Sequence, residues 1–159
     1  MLGDGMSFSD KILLAYARVG IAGKSPKAPG TCGSFVAIAL APFIFMPLPF
    51  WGRAILLLFV LVTGTIASAR AEILLNKKDP SEVVIDEVLG QWITCLPFAA
   101  LSLWEYVAAF ALFRLFDIAK PWPVRKLEEV GGGLGVMIDD AAAGLYAMIC
   151  LGLLRVLLP

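Results

Sequence analysis

The sequence predicts an all-α integral membrane protein, a bundle of about five apolar helices with short helices at the membrane interface. Of its 159 residues, 60% are hydrophobic and only 16% are charged, and the mean hydropathy is +0.86. A water-soluble domain of this size needs more polar surface. The apolar residues also gather into five runs separated by charged or proline- and glycine-containing segments. The length is that of one domain, so we expect residues 1–159 to form a single membrane domain.

The segment before the first apolar run predicts a short amphipathic helix at the interface. Leu13, Leu14 and Ala17 supply its apolar side. Asp10 and Lys11 interrupt any continuous apolar stretch, which excludes a cleavable secretory signal. An ordinary packed helix remains open as the alternative.

The five apolar runs are residues 35–51, 54–69, 88–103, 106–116 and 141–158. Several are shorter than the roughly 17 to 25 residues of a spanning helix, so a re-entrant hairpin in place of one pair stays open. Alternating spans place 11 of the 13 basic residues on one face, all except Arg53 and Arg155. The positive-inside rule assigns that face to the cytoplasm.

The composition narrows the chemistry that the chain can perform. Its 13 basic and 13 acidic residues give no net charge, which argues against a nucleic-acid partner. It has no histidine, which removes the commonest general base and the usual zinc ligand. Cys32, Cys95 and Cys150 lack the spacing of a metal or phosphatase motif and are interpreted as small apolar residues. Carboxylates, Lys, Arg and hydroxyls remain.

Three acidic clusters lie at the ends of apolar runs, on the predicted cytoplasmic face. They contain Asp86 and Glu87, Asp117, and Asp139 and Asp140. Carboxylates beside hydrocarbon are unfavourable unless they are paired or bound to a cation. Oxygen ligands favour Mg²⁺ or Mn²⁺ over zinc. We therefore expect these five residues to form a metal cluster with catalytic function, although helix capping would equally explain one acid of the first cluster.

Cations and glycines near the acids predict a phosphate site. Residues 30–34 are expected to form a loop into the first span, where backbone N–H groups and the helix dipole attract anions, or where Thr31 or Ser34 simply caps the helix. Arg114, Asp117 and Lys120 share a helix face and would alternatively form a local ion-pair ladder. Residues 131–135 predict a flexible turn, and Gly144 predicts close helix packing. The expected substrate-binding residues are Lys24, Gly30, Thr31, Gly33, Ser34, Arg114, Lys120 and Arg125.

These motifs resemble those of the phosphatidylglycerophosphatase A family. The resemblance is carried, in chain order, by residues 29–34, 84–90, 113–123 and 132–144. It implies a Mg²⁺-dependent hydrolase of the bacterial cytoplasmic membrane that removes the terminal phosphate of phosphatidylglycerophosphate to give phosphatidylglycerol, a step of phospholipid biosynthesis. It assigns no role to the individual acids.

On the physical interpretation, the metal polarises the phosphoryl group and activates a water, and one of the carboxylates accepts the proton. A CDP-alcohol phosphotransferase is the nearest enzymatic alternative, but the D-x2-D-G-x2-A-R pattern is absent. An ion or metal transporter is the alternative from another class; transport sites lie near the bilayer midplane, whereas these acids lie at the ends of runs. The sequence leaves the number of metal ions, the headgroup selectivity and the oligomeric state open.

Overall fold

The computed structural model describes residues 6–158, apart from the side chain of Glu128. Its helices are α1 (Phe8–Ala17), α2 (Pro29–Ile44), α3 (Phe50–Leu75), α4 (Ile85–Cys95), α5 (Leu103–Ala119), α6 (Val124–Leu127) and α7 (Gly132–Leu157), with 3-10 turns at Ala22–Lys24 and Glu128–Val130. Within the described range there is no strand, so the all-α prediction is confirmed.

The short helix α4 forms the centre of the bundle. Nine of its 11 residues are buried, and α2, α3, α5 and α7 pack around it. Glycines allow α7 to approach: a Cβ on Gly144 would lie 3.0 Å from the Cα of Gly90 in α4. The close packing predicted at Gly144 is therefore present, and it fixes the α7 backbone directly beside α4.

Two helices are long and apolar enough to cross a membrane. They are α3 and α7, each of 26 residues, with hydropathies of 2.0 and 1.6. At about 1.5 Å per residue each is about 39 Å long, more than the roughly 30 Å of a bilayer's hydrocarbon core. Both carry large apolar side chains on exposed stripes, Ile55, Leu58, Val62 and Ile66 on α3 and Leu145, Ile149, Leu153 and Val156 on α7.

The prediction of five apolar spans is met only in part. The run 88–103 is not one helix, because α4 ends at Cys95 and α5 begins at Leu103. The run 35–51 joins the ends of two helices, since α2 stops at Ile44 and Pro49 is the N-cap of α3. At 16 residues, α2 is apolar but shorter than a typical spanning helix.

The helix α1 packs on α3. The Asp10 carboxylate accepts two hydrogen bonds from Arg70, at 2.7 and 3.1 Å, and the Tyr16 hydroxyl lies 2.7 Å from that of Thr63. The Arg70 guanidinium holds the pKa of Asp10 below its ordinary value, with a smaller contribution from Ser7. The helix therefore packs against α3, and its position at the membrane interface stays a prediction.

Arg53 joins two of the connections between helices of the bundle. Its buried guanidinium donates to the carbonyls of Leu48 at 2.9 Å and Met46 at 2.6 Å, in the connection between α2 and α3. It also donates to the carbonyls of Leu96, at 3.3 Å, and Phe98, between α4 and α5. Two connections that are distant in sequence are therefore joined by one charged side chain.

Candidate active site

The structure brings the five predicted acids together around one cavity of about 250 Å³. Asp86 and Glu87 lie in the first turn of α4, Asp117 near the end of α5, and Asp139 and Asp140 on α7. The rest of the lining includes Pro29, Gly30, Asp79, Ser81, Val83, Lys120 and Val136. Three helices thus contribute carboxylates to one small polar space.

The position of Asp139 and Asp140 differs from the prediction. They do not open the last apolar helix; α7 begins at Gly132, two turns earlier, with Gly131 as its N-cap at φ 71°. The glycine segment predicted as a flexible turn is therefore mostly helix. Packing explains the difference, because a Cβ on Gly133 would lie 2.6 Å from the backbone nitrogen of Ala69 in α3. Contact with α3 outweighs the poor helix propensity of glycine.

Arg114 organises one side of the cavity. Its Nη1 lies 2.6 and 2.8 Å from the two Glu87 carboxylate oxygens and 2.9 Å from Asp117. Ser34 completes the group, donating to Glu87 at 2.6 Å and accepting from Arg114 at 3.2 Å. The expected ladder between Arg114 and Asp117 is therefore real, but the arginine also holds Glu87 from a different helix.

Lys120 lies on the other side of the cavity. It is the C-cap of α5 in a left-handed conformation, with φ 41°, so its side chain leaves the helix axis. Its Nζ lies 2.9 Å from Asp139 of α7. Lys120, at the end of α5, thus contacts an acid on a different helix, α7.

Placing several negatively charged carboxylates in this buried cavity is unfavourable unless a further cation is bound. Burial raises the pKa of Glu87 to about 7, Asp117 adds to the rise, and Arg114 and Ser34 oppose it. Burial and the charge of Glu87 also raise the pKa of Asp86 well above its usual value. The Oδ1 atom of Asp86 and the Oδ2 atom of Asp140 are buried without a hydrogen-bond partner. Orphaned carboxylate oxygens of this kind fit a hard divalent cation.

The acids are gathered but not arranged as a closed coordination sphere. Among the described residues, no group of three or more His, Cys, Asp and Glu side chains already has the arrangement of a metal site. Arg114 and Lys120 occupy several of the carboxylate oxygens. The predicted metal cluster therefore stays a prediction.

The predicted anion loop at residues 30–34 is the first part of α2. Pro29 occupies the first turn and Ala28 is the N-cap, so neither Thr31 nor Ser34 caps the helix. Proline suits that position because its ring presets φ and an N–H is not needed there. The Ser34 hydroxyl instead has two acceptors within reach of its single hydrogen, the carbonyl of Gly30 at 2.9 Å and the carboxylate of Glu87 at 2.6 Å. Of this segment, Gly30 lines the acid cavity.

Four other predicted substrate-binding residues do not line the acid cavity. Lys24 and Arg125 are exposed, and Thr31 faces a separate apolar cavity. Gly33 allows helix packing, because a Cβ there would lie 2.7 Å from that of Val84. Their role in substrate binding stays a prediction.

Two polar residues of the cavity were missed by the sequence analysis. Asp79 and Ser81 belong to the connection between α3 and α4 and line the space beside the acids. Asp79 also lines an adjoining cavity of about 270 Å³, together with Glu72, Lys78 and Asp139. The polar stretch 76–82 directly before the first acidic cluster was the signal that could have identified them.

Comparison with known proteins agrees with the resemblance. The family model described as phosphatidylglycerophosphatase A matches residues 15–155, a range that includes all five acids. A Bacteroides thetaiotaomicron protein named "Putative phosphatidylinositol-3-phosphatase" is 42% identical over 139 residues, 84% of this chain and 87% of the relative. No solved structure matches.

Two further relatives are named phosphatidylglycerophosphatase A. The Escherichia coli protein is 36% identical over 129 residues, covering 79% of this chain and 73% of the relative. The Haemophilus influenzae protein is 37% identical over 127 residues, covering 77% and 76%. The chain therefore belongs to the phosphatidylglycerophosphatase A family of phosphoric monoester hydrolases.

Proposed function

We propose that the chain hydrolyses the terminal phosphate of phosphatidylglycerophosphate, giving phosphatidylglycerol and inorganic phosphate in phospholipid biosynthesis. The observation that carries the proposal is the cavity where five carboxylates from three helices meet Lys120. Family membership and two relatives named for this activity support it.

The proposed cofactor is Mg²⁺, held by Asp86, Glu87, Asp117, Asp139 and Asp140. Its support is the all-oxygen donor set and the two unpartnered buried carboxylate oxygens. When bound, Mg²⁺ supplies a Lewis acid that polarises the phosphoryl oxygens and acidifies a coordinated water.

The chain's own groups then have distinct tasks. A carboxylate of the cluster accepts a proton from the attacking water, whose oxygen bonds to phosphorus as the bond from phosphorus to the glycerol oxygen breaks. The protonated carboxyl group then returns that proton to the glycerol oxygen. Lys120 can exchange its contact with Asp139 for a phosphate oxygen, because both line the same space. Arg114 keeps Glu87 and Asp117 in place from the opposite side.

The membrane arrangement in the proposal is multi-pass, in a bacterial cytoplasmic membrane with the acids facing the cytoplasm. The apolar stripes of α3 and α7 and the basic residues near the acid cavity support it. Single cysteines at Ser81 and Leu103, in a Cys-free background, test it with an impermeant thiol reagent. In intact cells only position 103 should react, and labelling of position 81 from outside would refute the orientation.

A second candidate substrate is phosphatidylinositol-3-phosphate. The relative named for that activity is 42% identical to this chain, more than either relative named for the first. Both lipids present a phosphomonoester on a polar headgroup, so the same carboxylate cavity suits either.

One assay decides between them. Purified protein in detergent is given each lipid with Mg²⁺ or with EDTA, and inorganic phosphate is measured. We expect Mg²⁺-dependent release of phosphate from phosphatidylglycerophosphate. The Asp139→Asn variant is the control, and it should release no phosphate. Release from the inositol lipid alone would transfer the proposal to that substrate, and release equal in EDTA would remove the metal from it.

A further inference from the structure

We propose that one acyl chain of the lipid substrate lies in an apolar groove along α2 and α5 whose near end, at Thr31, is next in the chain to Gly30 of the acid cavity. The α2–α5 groove is lined by Thr31, Phe35, Ala39 and Pro42 on α2 and by Val107 and Phe110 on α5. Its near part is also lined by residues of the α1–α2 connection, Val19, Ile21, Ala22 and Ser25. The inference rests on the lipid phosphatase activity proposed above and adds a place for the part of the substrate that does not react.

The groove consists of two apolar cavities that share two of their lining residues. The apolar cavity nearer the acids has a volume of about 600 Å³ and the farther one about 330 Å³. Phe35 and Phe110 line both apolar cavities and meet edge to face, with ring centroids 6.4 Å apart. Phe35 is 62% exposed, so this contact sits at the surface of the bundle.

On both α2 and α5, the residues at the near end of the groove are close in the chain to residues of the acid site. On α2, Thr31 directly follows Gly30, which lines the acid cavity. On α5, Phe110 lies one turn before Arg114, whose guanidinium contacts Glu87. A lipid whose phosphate enters the acid cavity therefore has the groove beside its glycerol end.

The length of the groove fits one leaflet. From Thr31 to Pro42 is 11 residues, which at about 1.5 Å each gives about 16 Å along α2. Half of the roughly 30 Å hydrocarbon core is about 15 Å. The groove thus accommodates the depth to which an acyl chain of the same leaflet extends, which favours a lipid tail as occupant.

The expected effect is on orientation more than on affinity. An acyl chain that enters the groove leaves surroundings that are already apolar, so little hydrophobic free energy is gained. Held against α2, however, the chain fixes the headgroup relative to the carboxylates. Misplacement of a reacting group by about 1 Å lowers rates by up to about a hundredfold, so blocking the groove should lower kcat/KM for long-chain substrate by about tenfold.

The test fills the groove from either wall. Ala39→Trp and Val107→Trp alter exposed positions, and Leu58→Trp is the control, an exposed apolar residue of α3 that does not line the groove. Each variant is assayed with dihexanoyl and with dioleoyl phosphatidylglycerophosphate in mixed micelles. In both groove variants we expect kcat/KM for the dioleoyl lipid to fall about tenfold and kcat/KM for the dihexanoyl lipid to stay unchanged. In the control variant both values should stay unchanged. An unchanged ratio of the two kcat/KM values in both groove variants would overturn the inference.

A second measurement needs no turnover. The photoreactive residue p-benzoylphenylalanine, placed at position 107, is irradiated in liposomes that contain a phosphonate analogue of the long-chain substrate. Adducts with the analogue, reduced by Ala39→Trp, support the groove even if wild-type protein releases no phosphate, an outcome that would refute the proposed activity alone. Adducts between two copies of the chain in place of lipid adducts would assign the groove to a protein interface and overturn the inference.

Discussion

Replacing Arg114 with methionine should destabilise the protein strongly, and more so at higher pH. The side chains of Arg114 and Glu87 are only 15% and 9% exposed, and their closest atoms are 2.6 Å apart. Removing one partner of a buried ion pair costs about 3–5 kcal/mol, whereas an exposed pair contributes about 1 kcal/mol or less. We expect a loss of about 3 kcal/mol at pH 8, since protonation of the abandoned carboxylate limits the penalty.

The pH dependence follows from the pKa of Glu87. Burial raises the pKa of Glu87 to about 7 in the folded wild-type protein, above its pKa in the unfolded chain. Stability therefore falls as the pH rises from the unfolded pKa to about 7, because the unfolded state loses the proton first. Without Arg114 the folded pKa rises further, and stability continues to fall above pH 7, by at most about 1.4 kcal/mol per pH unit. The variant should therefore differ less from wild type at pH 6 than at pH 8.

The free energy of unfolding is measured by titration with guanidinium chloride in detergent with EDTA, and unfolding is followed by tryptophan fluorescence. Arg70→Met is the control, because it removes an arginine from the more exposed pair with Asp10, and its loss should be much smaller. Adding Mg²⁺ should restore part of the stability of Arg114→Met if a cation can replace the guanidinium between the carboxylates. A loss at pH 8 no larger than that of Arg70→Met would refute this account of the buried pair.

Three further predictions concern single residues. Asp86→Asn and Asp139→Asn should each lower turnover by orders of magnitude while the unfolding midpoint stays close to wild type, and near-normal phosphate release by both would remove the cluster from the reaction. Lys120→Met should lower kcat/KM strongly with little loss of stability, and Lys120→Arg should recover only part, as steady-state kinetics would show; full activity of the methionine variant would make Lys120 structural. Asp10→Asn should destabilise the protein at pH 7, and the difference from wild type should vanish as the pH falls through the lowered pKa of Asp10, because the Arg70 pair is present only when Asp10 is charged; a difference that does not shrink as the pH is lowered from 7 into the acid range would contradict this.

The sequence was most informative where polar residues interrupt apolar runs. Because helices of a bundle alternate in direction, acids at corresponding ends of their runs could be expected to meet, and the structure gathers all five around one cavity. The depth of Asp139 and Asp140 within α7 could not be predicted. Glycines 132–135 have low helix propensity, and only their packing against α3 makes them helical.

The sequence also could not predict which residues form ion pairs between different helices. Spacing along one helix correctly suggests the pair between Arg114 and Asp117, three residues apart. The contacts of Arg114 with Glu87 and of Lys120 with Asp139 join different helices, and no local pattern encodes which helices are neighbours. The ends of the apolar runs were similarly obscured, since the run 88–103 continues through a non-helical connection that is as apolar as the helix.

The four carbonyl contacts of Arg53 make the bundle's assembly depend on chain order. During synthesis the α2–α3 hairpin is complete long before residues 96–98 have been made, so at that stage only the carbonyls of Met46 and Leu48 can accept from the guanidinium. A buried cation with half of its acceptors missing is unfavourable in an apolar environment. The hairpin therefore reaches its final packing only after α4 has entered the bundle. A chain truncated before residue 96 therefore lacks half of the acceptors of this guanidinium.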